Sequence, residues 1–131
     1  MKNEDYIPKN INDVAAVERL KHLPFELVKE DVSTLLEWLQ DGHWGVAEGI
    51  AEYLIPHVNE ITQELVFVLN TDDGMWKYCI IYILIARSKD KLDPDLIKAL
   101  SRIAEHPSRI EAEDAVDEAA KDIITNKVLC G

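Results

Sequence analysis

Two stretches of this chain carry the same pattern, with Trp44 and Trp76 standing 32 positions apart. Leu36, Trp38, Leu39, Asp41, Gly42, Trp44, Val46, Ala47, Ile50, Ala51 and Leu54 are matched by Leu65, Phe67, Leu69, Asp72, Gly74, Trp76, Tyr78, Cys79, Tyr82, Ile83 and Ala86. Self-similarity at a period of about 20–50 residues signals stacked supersecondary units, none of which can bury its apolar flank alone. A third, weaker copy places Ala115, Val116, Ala119, Ala120 and Ile123 where the first has Val46, Ala47, Ile50, Ala51 and Leu54. It has no tryptophan and suits a terminal cap.

The local signals place helices between these landmarks. Asn12 or Asp13 caps a first helix reaching Lys21, and Pro24 favours a restart. Asp31 or Ser33 caps a helix to Leu39, which Asp41-Gly42 ends by supplying a left-handed terminal residue. A helix follows over 44–55, and Pro56 kinks or stops it. Asn59 is expected to cap a helix to Leu69, with a turn at Thr71-Asp72-Asp73-Gly74 and a helix over 75–87. Asp93-Pro94 combines cap and first-position proline; its helix ends at Pro107-Ser108, and a last helix covers 110–126. No segment alternates like a strand.

The expected fold is therefore all-α: a HEAT- or armadillo-like superhelix, a short α-solenoid of three helical pairs plus an N-terminal helix. The repeats fall at about 31–55, 60–87 and 94–126, in a single domain over 1–131 with a flexible segment at 1–12. Residues 78–85 are apolar nearly all round, as expected of a central helix packed between neighbours; an uncovered groove used by a partner is the other reading.

Composition narrows the function classes. The chain has 131 residues and a net charge of −11, and from Glu30 to Trp76 it has ten acidic residues and no Lys or Arg. Such a block repels phosphate backbones and argues against nucleic-acid binding. Only 77–109 is basic, with seven Lys or Arg against four acids. The longest apolar run, 78–86, has nine residues against the ~20 needed to cross a bilayer, so no membrane role is expected. Met1 is followed by Lys2, Asn3, Glu4 and Asp5 with no apolar run, so a signal peptide is not expected. Cys79 sits among apolar residues and Cys130 near the end, with no disulfide framework, which fits a reducing cytoplasm. Cys130 is one place short of a prenylation box.

Gly45, Glu48, Gly49 and Glu52 share one helix face by their i, i+3, i+4, i+7 spacing. Two interior glycines cost about 0.5–1 kcal/mol each relative to alanine, so the stripe calls for a reason. Either the glycines admit a neighbouring helix or the N-terminal segment at close range, or the stripe is an acidic groove for a partner's Lys or Arg. The candidate partner-binding residues are Glu37, Asp41, His43, Trp44, Glu48 and Glu52. Trp38, Trp44 and Trp76 read as packing residues. His22, His43, His57 and His106 never pair at i, i+4, and Asp72-Asp73-Gly74 lacks the ligand ladder of a calcium loop, so neither metal ligands nor a cofactor site is expected. His43 beside Glu48 has no nucleophile or phosphate loop near it, so no catalytic residues are assigned. The acidic run Glu111, Glu113, Asp114, Asp117, Glu118 reads as helix-dipole compensation and solvation.

The run Leu35-Leu36-Glu37-Trp38-Leu39-Gln40-Asp41, with Trp44, Val46-Ala47, Ile50-Ala51-Glu52, Leu54, Trp76-Lys77 and Asp114 through Asp117-Glu118, resembles a small bacterial family of domains of unknown function, DUF5071. The resemblance covers about residues 12–124. It implies a HEAT-like helical domain and no activity; members commonly read Asn-Trp where this chain has His43-Trp44. The expected function is a non-enzymatic protein–protein interaction module whose acidic face meets a protein with a basic surface. Alternatives are an antidote neutralising a basic toxin, and a HEAT-like enzyme acting on nucleic acid, which the charge disfavours.

Overall fold

A computed structural model describes residues 5–129 of the chain, so Cys130 lies outside the described residues. It is helical throughout, with no strand among the described residues. The α-helices are α1 (Val14–Lys21), α2 (Phe25–Val28), α3 (Val32–Glu37), α4 (Ala47–Leu54), α5 (Thr62–Leu69), α6 (Gly74–Cys79), α7 (Pro94–Glu105), α8 (Arg109–Glu113) and α9 (Val116–Ile123). Short 3-10 turns at Lys29–Asp31, Ile55–Ile61 and Ile85–Arg87 and π segments at Ile80–Leu84 and Ile124–Leu129 join or extend them.

Local chemistry explains several boundaries. The Asp13 side chain accepts from the Ala16 amide and starts α1. Asp93 accepts from the Asp95 amide with Pro94 in the first turn of α7. Ser108 and Glu111 close a reciprocal capping box on α8, satisfying two amides that the helix start leaves without partners. Pro56 falls in the 3-10 turn that follows α4.

Other boundaries depart from expectation. No glycine has a positive φ among the described residues, so Gly42 does not end a helix in the left-handed conformation. Instead α3 stops at Glu37 and α4 begins three residues after Trp44. Asn59 does not cap its own helix: its side-chain amide donates to the Lys91 carbonyl at 2.7 Å and its carbonyl accepts from the Asp93 amide at 2.8 Å. It fastens the approach to α7. The last helix breaks at Ala115, where φ is +61°, a left-handed backbone that costs a non-glycine residue about 1–2 kcal/mol. Residues 5–12, expected to be flexible, are tied down: Tyr6 is buried with its hydroxyl on Asp31, Arg19 Nε donates to the Asp5 carbonyl, and the Val46 amide donates to the Ile11 carbonyl at 3.0 Å.

One continuous apolar core runs through the chain. α1 lies against α4, α4 against the Ile80–Leu84 segment, and that segment against α9; α5 packs on α7, and α7 on α9. Ile80, Ile81, Leu84 and Ile85 are fully buried within this row. In an uninterrupted α-helix Ile85 would share a face with Tyr78 and Tyr82 by i, i+4, i+7 spacing. The π turn inserts an extra residue, which carries Ile85 inward and leaves both tyrosines out.

Candidate functional site

The turn between α3 and α4 is shaped by one carboxylate. Asp41 Oδ1 accepts from the His43 backbone amide at 2.8 Å and meets the His43 ring Nδ1 at 3.2 Å. The amide bond, with the ring contact adding, holds the Asp41 carboxyl below its usual range. The His43 ring itself is wholly exposed. Trp44 lies half-buried, edge-on to Trp38 with ring centroids 6.0 Å apart. Its repeat counterpart Trp76 instead donates its indole N–H to the Leu36 carbonyl at 2.8 Å. Phe67, the counterpart of Trp38, is 68% exposed and outside the core, so the repeat in sequence is not a repeat in burial.

Glu37, Glu48 and Glu52 are all exposed. Glu48 bonds to Arg87 Nη1 at 2.8 Å. The glycine–glutamate stripe thus splits into two jobs. A Cβ on Gly49 would overlap Val17 of α1, and one on Gly45 would fall 2.8 Å from Asn12 Oδ1 and 3.3 Å from the Ile11 carbonyl. The glycines are there to admit α1 and the N-terminal segment, so the space above them holds no partner side chain. Replacing Gly49 with leucine forces α1 off α4, and we expect a loss of about 1–3 kcal/mol in urea melts. A variant as stable as the parent would contradict the close approach.

The six candidate residues do not converge on one cleft. Asp41, His43 and Trp44 form one turn, while Glu48 and Glu52 stand a helical turn apart on α4. The Asp41–Gly42 turn abuts α6: a Cβ on Gly42 would lie 3.6 Å from Cys79 Sγ. Burial pushes the Cys79 thiol up, and Asp41 and Asp73 push it further, so carboxylates from two successive interhelical turns border this spot.

Two further features stand out, one that escaped the sequence reading and one that entered it only as the alternative of an uncovered groove on the 78–85 helix. The first is a buried charge node. Glu111 is fully buried; its Oε2 accepts from Lys77 Nζ at 2.8 Å and Arg102 Nη2 at 2.9 Å, and its Oε1 from Arg102 Nη1 at 2.5 Å and the Ser108 amide at 2.7 Å. Lys77 is 2% exposed. Glu111 is therefore a structural counterion rather than part of a solvated acidic run. Burial alone would raise its pKa, but the hydrogen bonds from Arg102, Lys77 and Ser108 override this and bring it to about 2. The Ser-x-x-Glu spacing at 108–111 was the available signal.

The second is an aromatic ridge. Met75, Tyr78 and Tyr82 are 56%, 37% and 40% exposed, so the middle helix is covered on all sides but this one. The two tyrosine rings are 4.7 Å apart, and Tyr82 donates its hydroxyl to Asp122 Oδ2 at 3.2 Å. Burial raises the Tyr82 pKa, and Tyr78 and Asp122 add to it. Met75, Tyr78 and Asp114 line an open hollow of about 220 Å³.

Among the described residues no three His, Cys, Asp or Glu side chains are placed to hold a metal ion. No helix among them is long and apolar enough to cross a membrane. Against known families, a model described as "Domain of unknown function (DUF5071)" matches residues 6–124. No curated protein matches.

Proposed function

We propose, starting from a chain that belongs to the DUF5071 family of domains of unknown function, that this protein is a non-enzymatic interaction module of the cytoplasm, built as a short HEAT-like solenoid. Its partner is a protein with a basic surface, and nucleic acid and membrane are not its targets. The supporting observation is the set of carboxylates left facing solvent on the first helical pair. Glu37 and Glu52 stand exposed on a helix end and a helix that the core holds fixed, half-buried Asp41 sits in the turn between with His43 beside it, and Glu48 is matched to Arg87. A fixed negative surface of this kind favours positive partners and speeds their encounter. The side-by-side row α1, α4, 80–84 and α9 is the arrangement that a solenoid reading needs.

The test is affinity capture from the native cell with the parent chain and with Glu37→Lys, Asp41→Lys and Glu52→Lys combined. Partners of basic isoelectric point that disappear with the variant and at high salt support the reading. A captured set that is unchanged by charge reversal overturns it.

A further inference from the structure

We infer that Met75, Tyr78 and Tyr82, with Asp114 and Asp122 beside them, form the docking ridge for arginine and lysine side chains of a basic polypeptide segment. The inference rests on the interaction reading above and adds, beside the acidic face of the first helical pair, a second contact on the middle one.

Three observations converge on this surface. Its apolar groups are exposed on one side of an otherwise buried helix, although Met75, Tyr78 and Tyr82 sit next to fully covered neighbours. An exposed methionine and two partly exposed tyrosines form one apolar patch, and such patches mark contact surfaces. The tyrosine pair offers ring faces, which attract guanidinium and ammonium groups through the ring quadrupole.

The charge around the ridge selects the sign of its occupant. Asp114 lines the hollow with Met75 and Tyr78, and Asp122 accepts from the Tyr82 hydroxyl. Glu118, exposed, stands one helical turn before Asp122 on the same face of α9. The cations nearest in sequence are engaged elsewhere: Lys77 with buried Glu111, Arg109 with Glu113, and Lys121 with Asp117. Among the described side chains these cations are paired off, so the ridge presents aromatic faces bordered by carboxylates, which suits a long cationic side chain laid along the rings. The Asp114 carboxylate lies directly against Gly74, where a Cβ would overlap it.

The experiment measures binding of a fluorescent hexa-arginine peptide to the full chain by anisotropy, with hexa-lysine and hexa-glutamate as comparators. Expected is salt-sensitive binding of both basic peptides and none of hexa-glutamate. The pair Tyr78→Leu with Tyr82→Leu, which keeps apolar bulk, and the pair Asp114→Asn with Asp122→Asn should each weaken hexa-arginine by about tenfold or more. The combination Glu37→Gln, Asp41→Asn and Glu52→Gln, which removes charge from the first helical pair, should weaken it less than either ridge pair does. Loss confined to that last variant overturns the ridge and leaves the acidic-face reading standing. Indifference to all three variants, or no binding of hexa-arginine, overturns both. A parent chain that self-associates and becomes monomeric with Tyr78→Leu and Tyr82→Leu overturns the ridge as well, since its occupant would then be a second copy.

Discussion

Glu111→Ala is expected to destabilise the protein by about 3–5 kcal/mol, the usual penalty for removing one partner of a buried ion pair. The carboxylate accepts four hydrogen bonds, from Lys77, twice from Arg102, and from the Ser108 amide. Arg102 is partly exposed and can turn to water, but the Lys77 side chain is only 3% exposed. Truncation would strand its ammonium group in the core and also remove half of the capping box of α8. Urea melts measure the loss. A second variant separates the burial penalty from simple contact loss: Lys77→Met combined with Glu111→Leu removes both charges and should be more stable than Glu111→Ala alone. If Glu111→Ala melts within about 1 kcal/mol of the parent, the node does not hold the helices together.

Acid should reveal the same carboxylate. Glu111 has a folded pKa of about 2 against an ordinary 4.5. A depressed folded value means that the unfolded chain takes up the proton first, so stability is whole above about pH 4.5 and drains away as pH falls toward 2. A separation of this size corresponds to about 3 kcal/mol, lost at about 1.4 kcal/mol per pH unit across that window. Asp13 and Asp41 also have lowered values and act in the same direction, but their carboxyls reach solvent and are screened. Glu111→Gln should therefore start less stable at pH 6 and show a much flatter dependence below pH 4.5. Parallel urea-midpoint curves for parent and variant would assign the acid sensitivity to other groups.

The features that could be read in the sequence are those whose cause is local. Asp93-Pro94 announced α7 because cap and proline act within one turn. Gly49 announced a close approach because no helix keeps a glycine for its own sake, whereas Gly45 lies in the turn before α4 and admits the N-terminal segment there. Helix positions followed the local pattern more closely than helix ends did: α4 starts late because residues 41–46 are spent on the Asp41 turn and on pairing with Ile11. The misses are long-range. Lys77 and Glu111 are 34 residues apart, and nothing near either residue marks the other as its partner. The exposure of Tyr78 and Tyr82 depends on a one-residue slip in helix register at Ile80–Leu84, to which hydrophobic pattern is blind. Among the site residues, Glu37, Glu48 and Glu52 are at the surface as proposed, whereas the groove imagined between them is filled by Val17 and Asn12.

The two-way grip of Asn59 on Lys91 and Asp93 bears on how the molecule comes apart. Arrays of helical hairpins often unzip one unit at a time, since each touches only its neighbours. Here a side chain at the start of one unit holds the strap that leads into the next, so the boundary most exposed to fraying is stitched across. Heat should melt the two units as one cooperative block, and amide protons on either side of the stitch should exchange with solvent at kindred rates.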